Sequence, residues 1–218
     1  MDPNVITGRV GPEWDGPISE LASAGQLSVS AGLAIASGGN LSARLEGRDE
    51  FIVTGSGTYL DRLTQDSFAL LSSDGLMLAG CRPSSEWRLH SAAYRCRPDQ
   101  RAILHLHPEM SLTLDLLGIP IRQLTLDHVA YVPRIQRIGF YPNGSQELAD
   151  QAARALREAD CVILGHHGCL VVGHSVEDAL RKVQNLEQAA RMTYALAVAG
   201  NRSAEFPLEL RQTATHHE

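Results

Sequence analysis

In this 218-residue chain, the residues whose chemistry reaches beyond packing gather in a few short segments. His105-Leu106-His107 sits in an apolar run that reads as a strand, so its two imidazoles share one face while Leu106 points to the other. A third histidine stands in Gly165-His166-His167-Gly168 at the end of a second such run, where the glycines leave room for a tight turn beside a ligand. Three neutral imidazoles with one open position would suit catalytic zinc. Histidines at this spacing are also ordinary core or surface side chains, and spacing alone does not choose.

Pro83-Ser84-Ser85-Glu86 places two hydroxyls and a carboxylate where a loop becomes a helix. Unpaired N–H groups and the positive end of the helix dipole favour a phosphate there. The same residues also describe a plain helix start, with Ser84 or Ser85 as N-cap and Glu86 in the first turn. Thr54-Gly55-Ser56-Gly57 and Gly38-Gly39-Asn40 are each able to wrap an anion with backbone amides, or to serve only as turns.

Positioning these segments takes strands and helices in alternation. Apolar spacing predicts a first helix over 18–36, ending before Ser37-Gly38-Gly39, and short strands over 41–45, 50–54, 68–72 and 76–79. Ser73-Asp74-Gly75 reads as the hairpin turn between the last two. A helix starting near Ser84 or Ser85 ends before Arg97-Pro98, followed by a strand over 102–107 and a short helix over 109–117. A longer helix over 145–159, a strand over 161–164 and a terminal helix capped by Ser175 and running to 198 complete the set. The mixture predicts an α/β fold: a single domain over 1–218, its core about 18–200, with a central, mainly antiparallel β-sheet flanked by α-helices.

Composition narrows the function. A hydrophobic content of 44% supports one well-buried core, and a net charge of −6 with scattered Lys and Arg gives no footprint for nucleic acid. The N-terminal residues lack the apolar stretch of a signal peptide and no run is long enough to span a bilayer, so a cytoplasmic protein without a membrane partner is expected. Cys81, Cys96, Cys161 and Cys169 show no metal-finger spacing and read as buried thiols. Lys182, the only lysine, reads as a solvated charge on the terminal helix.

Taken in order, these segments resemble the class II aldolase/adducin family. Gly39-Asn40-Leu41-Ser42-Ala43-Arg44 is similar to its Gly-Asn-(Ile/Val)-Ser-x-Arg segment, and Thr54-Gly55-Ser56-Gly57 to its Thr-Pro-(Ser/Thr)-Gly loop, with Gly55 in place of proline. Pro83-Ser84-Ser85-Glu86-Trp87-Arg88, His105-x-His107 and His166-His167-Gly168 complete the series. The resemblance implies that His105, His107 and His167 hold Zn2+ or another divalent metal such as Mn2+ or Co2+. It implies Glu86 as catalytic acid/base and as fourth ligand when substrate is absent, and Asn40, Ser56, Gly57, Ser84 and Ser85 as phosphate-binding residues.

The activity it implies is an aldolase that reversibly cleaves a ketose 1-phosphate, of fuculose, ribulose or deoxyribulose type, to dihydroxyacetone phosphate and an aldehyde through a metal-stabilised enediolate. A homotetramer with a small sugar phosphate as its ligand is also implied. Glutamate at position 86 favours aldolase over the related epimerases, which carry aspartate there. The chain departs from the family's aldolases in lacking a tyrosine within 123–128 and another in the tail after Phe206; Asp127, His128 and Tyr131 stand near the first gap. A dehydratase or decarboxylase of the family, or a non-catalytic adducin-like scaffold, is the alternative. Retention of Glu86 and all three histidines argues against the scaffold.

Overall fold

The computed structural model describes residues 8–213. Residues 1–7, read above for a signal segment, and 214–218, the end of the tyrosine-free tail, lie outside the described residues.

Helix α1 (Asp15–Ser30) buries Ile18, Leu21 and Ala24 along one side. It stops short of the expected 36 because Gly32 takes a left-handed φ of 72° and the Leu33 N–H donates back to Ser28 O at 2.8 Å, which closes the helix end. Strands β1 (Asn40–Ala43), β2 (Phe51–Thr54), β3 (Phe68–Leu71) and β4 (Met77–Gly80) form an antiparallel meander, with the expected turn between the last two. Helix α2 (Trp87–Cys96) begins later than predicted, and its N-cap is Glu86 rather than a serine.

Strand β5 (Ala102–Leu106) and helix α3 (Glu109–Leu116) fall where expected. Helix α4 (Leu126–Tyr131) and strand β6 (Ile135–Ile138) were not predicted: the first is a single short helix capped by Thr125, and the second is a half-exposed strand carrying Gln136 and Arg137. Helix α5 (Gln146–Ala155) is capped by Ser145, whose hydroxyl accepts from the Leu148 N–H. Strand β7 (Cys161–Leu164) leads into β8 (Gly168–Gly173), also absent from the prediction, and the Ser175 cap starts α6 (Val176–Val198) as expected.

The eight strands of the described residues join one sheet in the order β4-β3-β2-β1-β5-β8-β7-β6. Every pairing is antiparallel except β6 with β7, so the mainly antiparallel sheet flanked by helices is what forms. Strand alternation divides the core in two. Leu41, Ile52, Leu104 and Val171 point to the face covered by α1 and α6. Phe51, Val53, Ile103 and Leu170 point to the face covered by α2 and α5. Each such buried side chain contributes about 1.5–3 kcal/mol relative to exposure.

Cys161 and Cys169 lie in the core, while Cys81 and Cys96 are half-buried. Lys182 is not a solvated charge: it is 6% exposed, and its ammonium donates to Asp160 and to the Val172 carbonyl and pairs with Asp178. Its position on the sheet-facing side of α6 carries it inward, and two carboxylates compensate its burial. Among the described residues no helix is long and apolar enough to cross a membrane.

Candidate active site

The site forms at the end of β5 on the α2/α5 face. Ile103 points to that face, so His105 two residues on does the same, and His107 follows just past the strand. Nδ1 of His105 lies 2.9 Å from the Cys169 carbonyl oxygen. That oxygen only accepts, so Nδ1 carries the proton and, in the neutral ring, Nε2 turns its lone pair toward the cluster. His107 Nε2 stands 3.1 Å from His105 Nε2. His167 enters from the turn between β7 and β8, its ring centroid 4.7 Å from that of His105 and 5.3 Å from that of His107.

That turn requires special residues. His166 adopts a φ of 56° and its N–H donates to Asp115 Oδ2 at 3.0 Å; its side chain is exposed and takes no part in the cluster. A Cβ on Gly168 would sit 2.4 Å from the Leu106 oxygen and 2.6 Å from His107 Cδ2, so only glycine lets β8 pass the imidazoles. The Gly38-Gly39 segment lies against the same strand end, where a Cβ on Gly39 would meet the His105 oxygen at 2.7 Å.

Glu86, at the N-terminus of α2, completes the cluster. Its Oε2 lies 3.0 Å from His105 Nε2 and its Oε1 3.5 Å from His167 Nε2. Oε2 also accepts a hydrogen bond from Asn40 Nδ2 at 2.9 Å, whereas Oε1 is buried with no hydrogen-bond partner. Burial would raise the Glu86 carboxyl, but His105, His167 and the Asn40 hydrogen bond outweigh it and hold the pKa at about 2. Burial, with His105 and His167 alongside, pushes His107 down to about 4, and burial with His105 lowers His167 as well. Near neutral pH the carboxylate is therefore charged, and His107 and His167 are neutral with lone pairs to offer.

This set fits a divalent cation. One ligand atom from each of His105, His107 and His167 lies within 4.8 Å of the others. The 3.1 Å separation of the His105 and His107 nitrogens is close to the ~3.3 Å expected for two atoms each about 2.0 Å from a tetrahedral centre. Oε1 of Glu86 is a buried acceptor with nothing to accept from, the kind of orphan that a bound ion satisfies.

The residues expected to bind phosphate lie beside this cluster. A bridge between Gly55 and Pro83 joins the two loops, and the Ser84 N–H donates to the Thr54 oxygen at 3.0 Å. Ser84 is buried and its hydroxyl accepts from the Glu86 N–H at 3.3 Å, while Ser85, Ser56 and Gly57 are exposed. The Ser56 N–H is engaged by the Arg82 carbonyl, which leaves the hydroxyl as the group Ser56 can turn to a ligand. Asn40 is only 5% exposed and faces Glu86. His128 sits apart: Nδ1 accepts from the Leu124 N–H and Nε2 donates to Gln188 Oε1.

The sequence reading missed His90, Ser42 and Tyr94, which pack behind Glu86 and Asn40. The signal was available: Glu86, His90 and Tyr94 recur every four residues on α2, and Asn40 and Ser42 alternate on β1.

Residues 19–194, most of the chain, match the class II aldolase and adducin N-terminal domain family. The chain belongs to this family. It is similar to an L-fuculose phosphate aldolase of Methanocaldococcus jannaschii, 36% identical over 159 residues that cover 73% of this chain and 85% of the relative. It is also similar to a 3-oxo-tetronate 4-phosphate decarboxylase of Haemophilus influenzae, 30% identical over 177 residues that cover 79% and 84%. Among solved structures, the Klebsiella pneumoniae protein YgbL, described as an aldolase, epimerase or decarboxylase, superposes with a TM-score of 0.83 at 27% identity, covering 92% of this chain and 98% of that one. Family membership supports an aldolase or related lyase acting on a small sugar phosphate.

Proposed function

We propose that the chain, acting as one catalytic domain over 1–218, is a metal-dependent aldolase that reversibly cleaves a ketose 1-phosphate to dihydroxyacetone phosphate and an aldehyde. The observation that carries this reading is the Glu86 carboxylate, 4% exposed, set against three convergent histidines directly after Ser84-Ser85. His105, His107 and His167 would hold the cation, with Glu86 as fourth ligand only when substrate is absent and its carboxylate free for proton transfer once substrate is bound. Three nitrogens with a carboxylate suit Zn2+, with Mn2+ or Co2+ as alternatives. Such an ion supplies Lewis acidity to the oxygens of a bound substrate.

The chain's own residues do the rest. Ser84, Ser85 and the Ser56-Gly57 turn would seat the phosphate at the start of α2, where the helix dipole and hydroxyls favour a dianion. That seat brings the hydroxymethyl carbon of dihydroxyacetone phosphate to Glu86, whose Oε1 has no competing hydrogen bond. In the synthetic direction Glu86 removes a proton from this carbon, the electron pair adds to the aldehyde carbonyl carbon, and the aldehyde oxygen takes up a proton from solvent to become the C4 hydroxyl. In cleavage, the C4 hydroxyl gives its proton to solvent as the bond between C3 and C4 breaks, and Glu86, protonated from solvent, delivers a proton to C3. Asn40 supports the first step by donating to Oε2, which favours the charged carboxylate.

A product assay across fuculose, ribulose and deoxyribulose 1-phosphates tests the proposal. Release of dihydroxyacetone phosphate is the expected result, and its absence from all of them would reject the reaction. The 30% identity to a decarboxylase favours, as a second reading, the same acid/base chemistry with carbon dioxide as the leaving group, which the same assay detects on 3-oxo-tetronate 4-phosphate. The proposal includes a homotetramer, checked by the mass in solution.

A further inference from the structure

Five side chains form an unbroken row behind the cluster: Tyr94, Ser42, His90, Asn40 and Glu86. None is more than 5% exposed. Tyr94 Oη lies 2.9 Å from Ser42 Oγ, Ser42 Oγ lies 2.6 Å from His90 Nδ1, His90 Nε2 contacts Asn40 Oδ1, and Asn40 Nδ2 lies 2.9 Å from Glu86 Oε2. Two elements supply all of it. Asn40 and Ser42 share a face of β1, and Glu86, His90 and Tyr94 lie one turn apart at the start of and along α2.

Hydrogen counting fixes the direction of the row. The Glu86 carboxylate only accepts, so Asn40 must present its NH2 to Oε2 and its oxygen to His90. That oxygen needs a donor, so His90 carries its proton on Nε2. Burial holds the His90 ring neutral, leaving Nδ1 as an acceptor that the Ser42 hydroxyl satisfies. Ser42 Oγ in turn accepts from the Tyr94 hydroxyl, whose other acceptor, the Arg101 carbonyl, is more distant at 3.4 Å. Every donor therefore points toward Glu86. Rotation of the Asn40 amide by half a turn would set two oxygens against each other at Oε2 and leave an NH2 facing an N–H at His90, so the row admits one orientation.

We propose that His90, backed by Ser42 and Tyr94, is a positioning residue that locks the Asn40 amide, so that Oε2 of Glu86 is always the anchored oxygen and Oε1 the one that moves the proton. This rests on the reading of Glu86 as the acid/base, and the lock itself is independent of which sugar phosphate binds.

Two measurements test it. The first is exchange of the dihydroxyacetone phosphate hydroxymethyl proton with deuterated water in metal-loaded enzyme, read beside the Kd for dihydroxyacetone phosphate and the metal content. His90→Leu should lose about 10- to 10²-fold in exchange, the scale on which outer supporting groups act, with the Kd and metal content within about threefold of wild type. His90→Gln, which keeps an N–H at similar reach, should recover most of the rate. A His90→Leu enzyme exchanging at the wild-type rate would overturn the proposal. So would parallel losses of exchange, Kd and metal, or a Gln variant no better than Leu. If His90→Leu does not fold, Ser42→Ala and Tyr94→Phe are read in the same way, with the larger loss expected for Ser42→Ala. The second is the 15N spectrum of the imidazoles without substrate: His90 should be neutral and protonated on Nε2 near pH 7, and protonation on Nδ1 would refute the direction of the row. A wild-type enzyme that exchanges no proton would reject the acid/base reading of Glu86, and the spectrum would still decide the lock.

Discussion

Glu86→Gln isolates proton transfer from everything else Glu86 does. The two side chains have the same shape, and Asn40 Nδ2 can donate to the glutamine oxygen as it does to Oε2, so the amide settles with its oxygen at the Oε2 position. Its NH2 then occupies the place of Oε1, the atom that has no hydrogen-bond partner and that is proposed to take the proton. The variant should therefore keep its fold, and the three histidines should keep most of the metal, while the base is gone. Loss of a positioned general base costs at least about 10²-fold, or ~2.7 kcal/mol in the barrier. The assay is deuterium exchange at the hydroxymethyl carbon of dihydroxyacetone phosphate, followed by proton NMR on enzyme of measured metal content. Near-normal exchange in metal-loaded Glu86→Gln would refute the reasoning and transfer the role to another group. His128 would be a poor substitute, since both its ring nitrogens are already engaged by Leu124 and Gln188.

Metal analysis of His105→Ala and His167→Ala should show affinity reduced by more than about 10²-fold, beyond the cost of changing an outer supporting residue. Ser84→Ala combined with Ser85→Ala should raise KM for the ketose phosphate about tenfold or more with a smaller change in kcat, since a hydrogen bond to a charged group is worth about 1.5–3 kcal/mol. Lys182→Met should destabilise the protein by about 3 kcal/mol in urea unfolding, near the lower end for breaking a buried pair because Arg97 still contacts Asp160. For the same network, burial raises Asp160 but Lys182 and Arg97 outweigh it, so its folded pKa lies below the ordinary 3.8. Its contribution is fully present above about pH 4 and lost as pH falls through the lower folded value, and a denaturation series between about pH 5 and 2 should show stability declining in wild type and less so in Asp160→Asn.

The parts of this molecule legible in the sequence are those whose local pattern matches their role. A strand period of two places His105 and His107 on one face without reference to the rest of the fold, and Ser145 and Ser175 announce their helices through their own side chains. Strand β6 is harder to read because as an edge strand it carries Gln136 and Arg137, and so lacks the apolar run that marked β7. The Lys182 misreading has a different cause. Asp178 lies one turn earlier on the same helix, but burial of the cation also depends on Asp160, which arrives from the loop before β7. The lock behind Glu86 was missed for the same reason: His90 means little until β1 is known to lie beneath α2.

The same dependence on distant acceptors explains how the fold holds its cluster together. Each segment that presents a proposed ligand is tied by a side chain from another element. Asn40 on β1 donates to Glu86 at the start of α2. Asp115 at the end of α3 accepts the His166 N–H, in the turn before His167 where that residue holds a left-handed φ of 56°. Glu187 on α6, 3% exposed, accepts from the Met110 and Ser111 N–H groups and the Ser111 hydroxyl, closing the start of α3 immediately after His107-Pro108. The ligands thus come from a strand end, a turn and a helix N-terminus, local structures that would fray alone. Their supports are buried groups on elements with large apolar faces. Site geometry is therefore coupled to the packing of α6 and β1 against the sheet, and a change as remote as Glu187→Ala should loosen the His107 end of β5 before it affects global unfolding, an ordering that amide exchange resolves residue by residue.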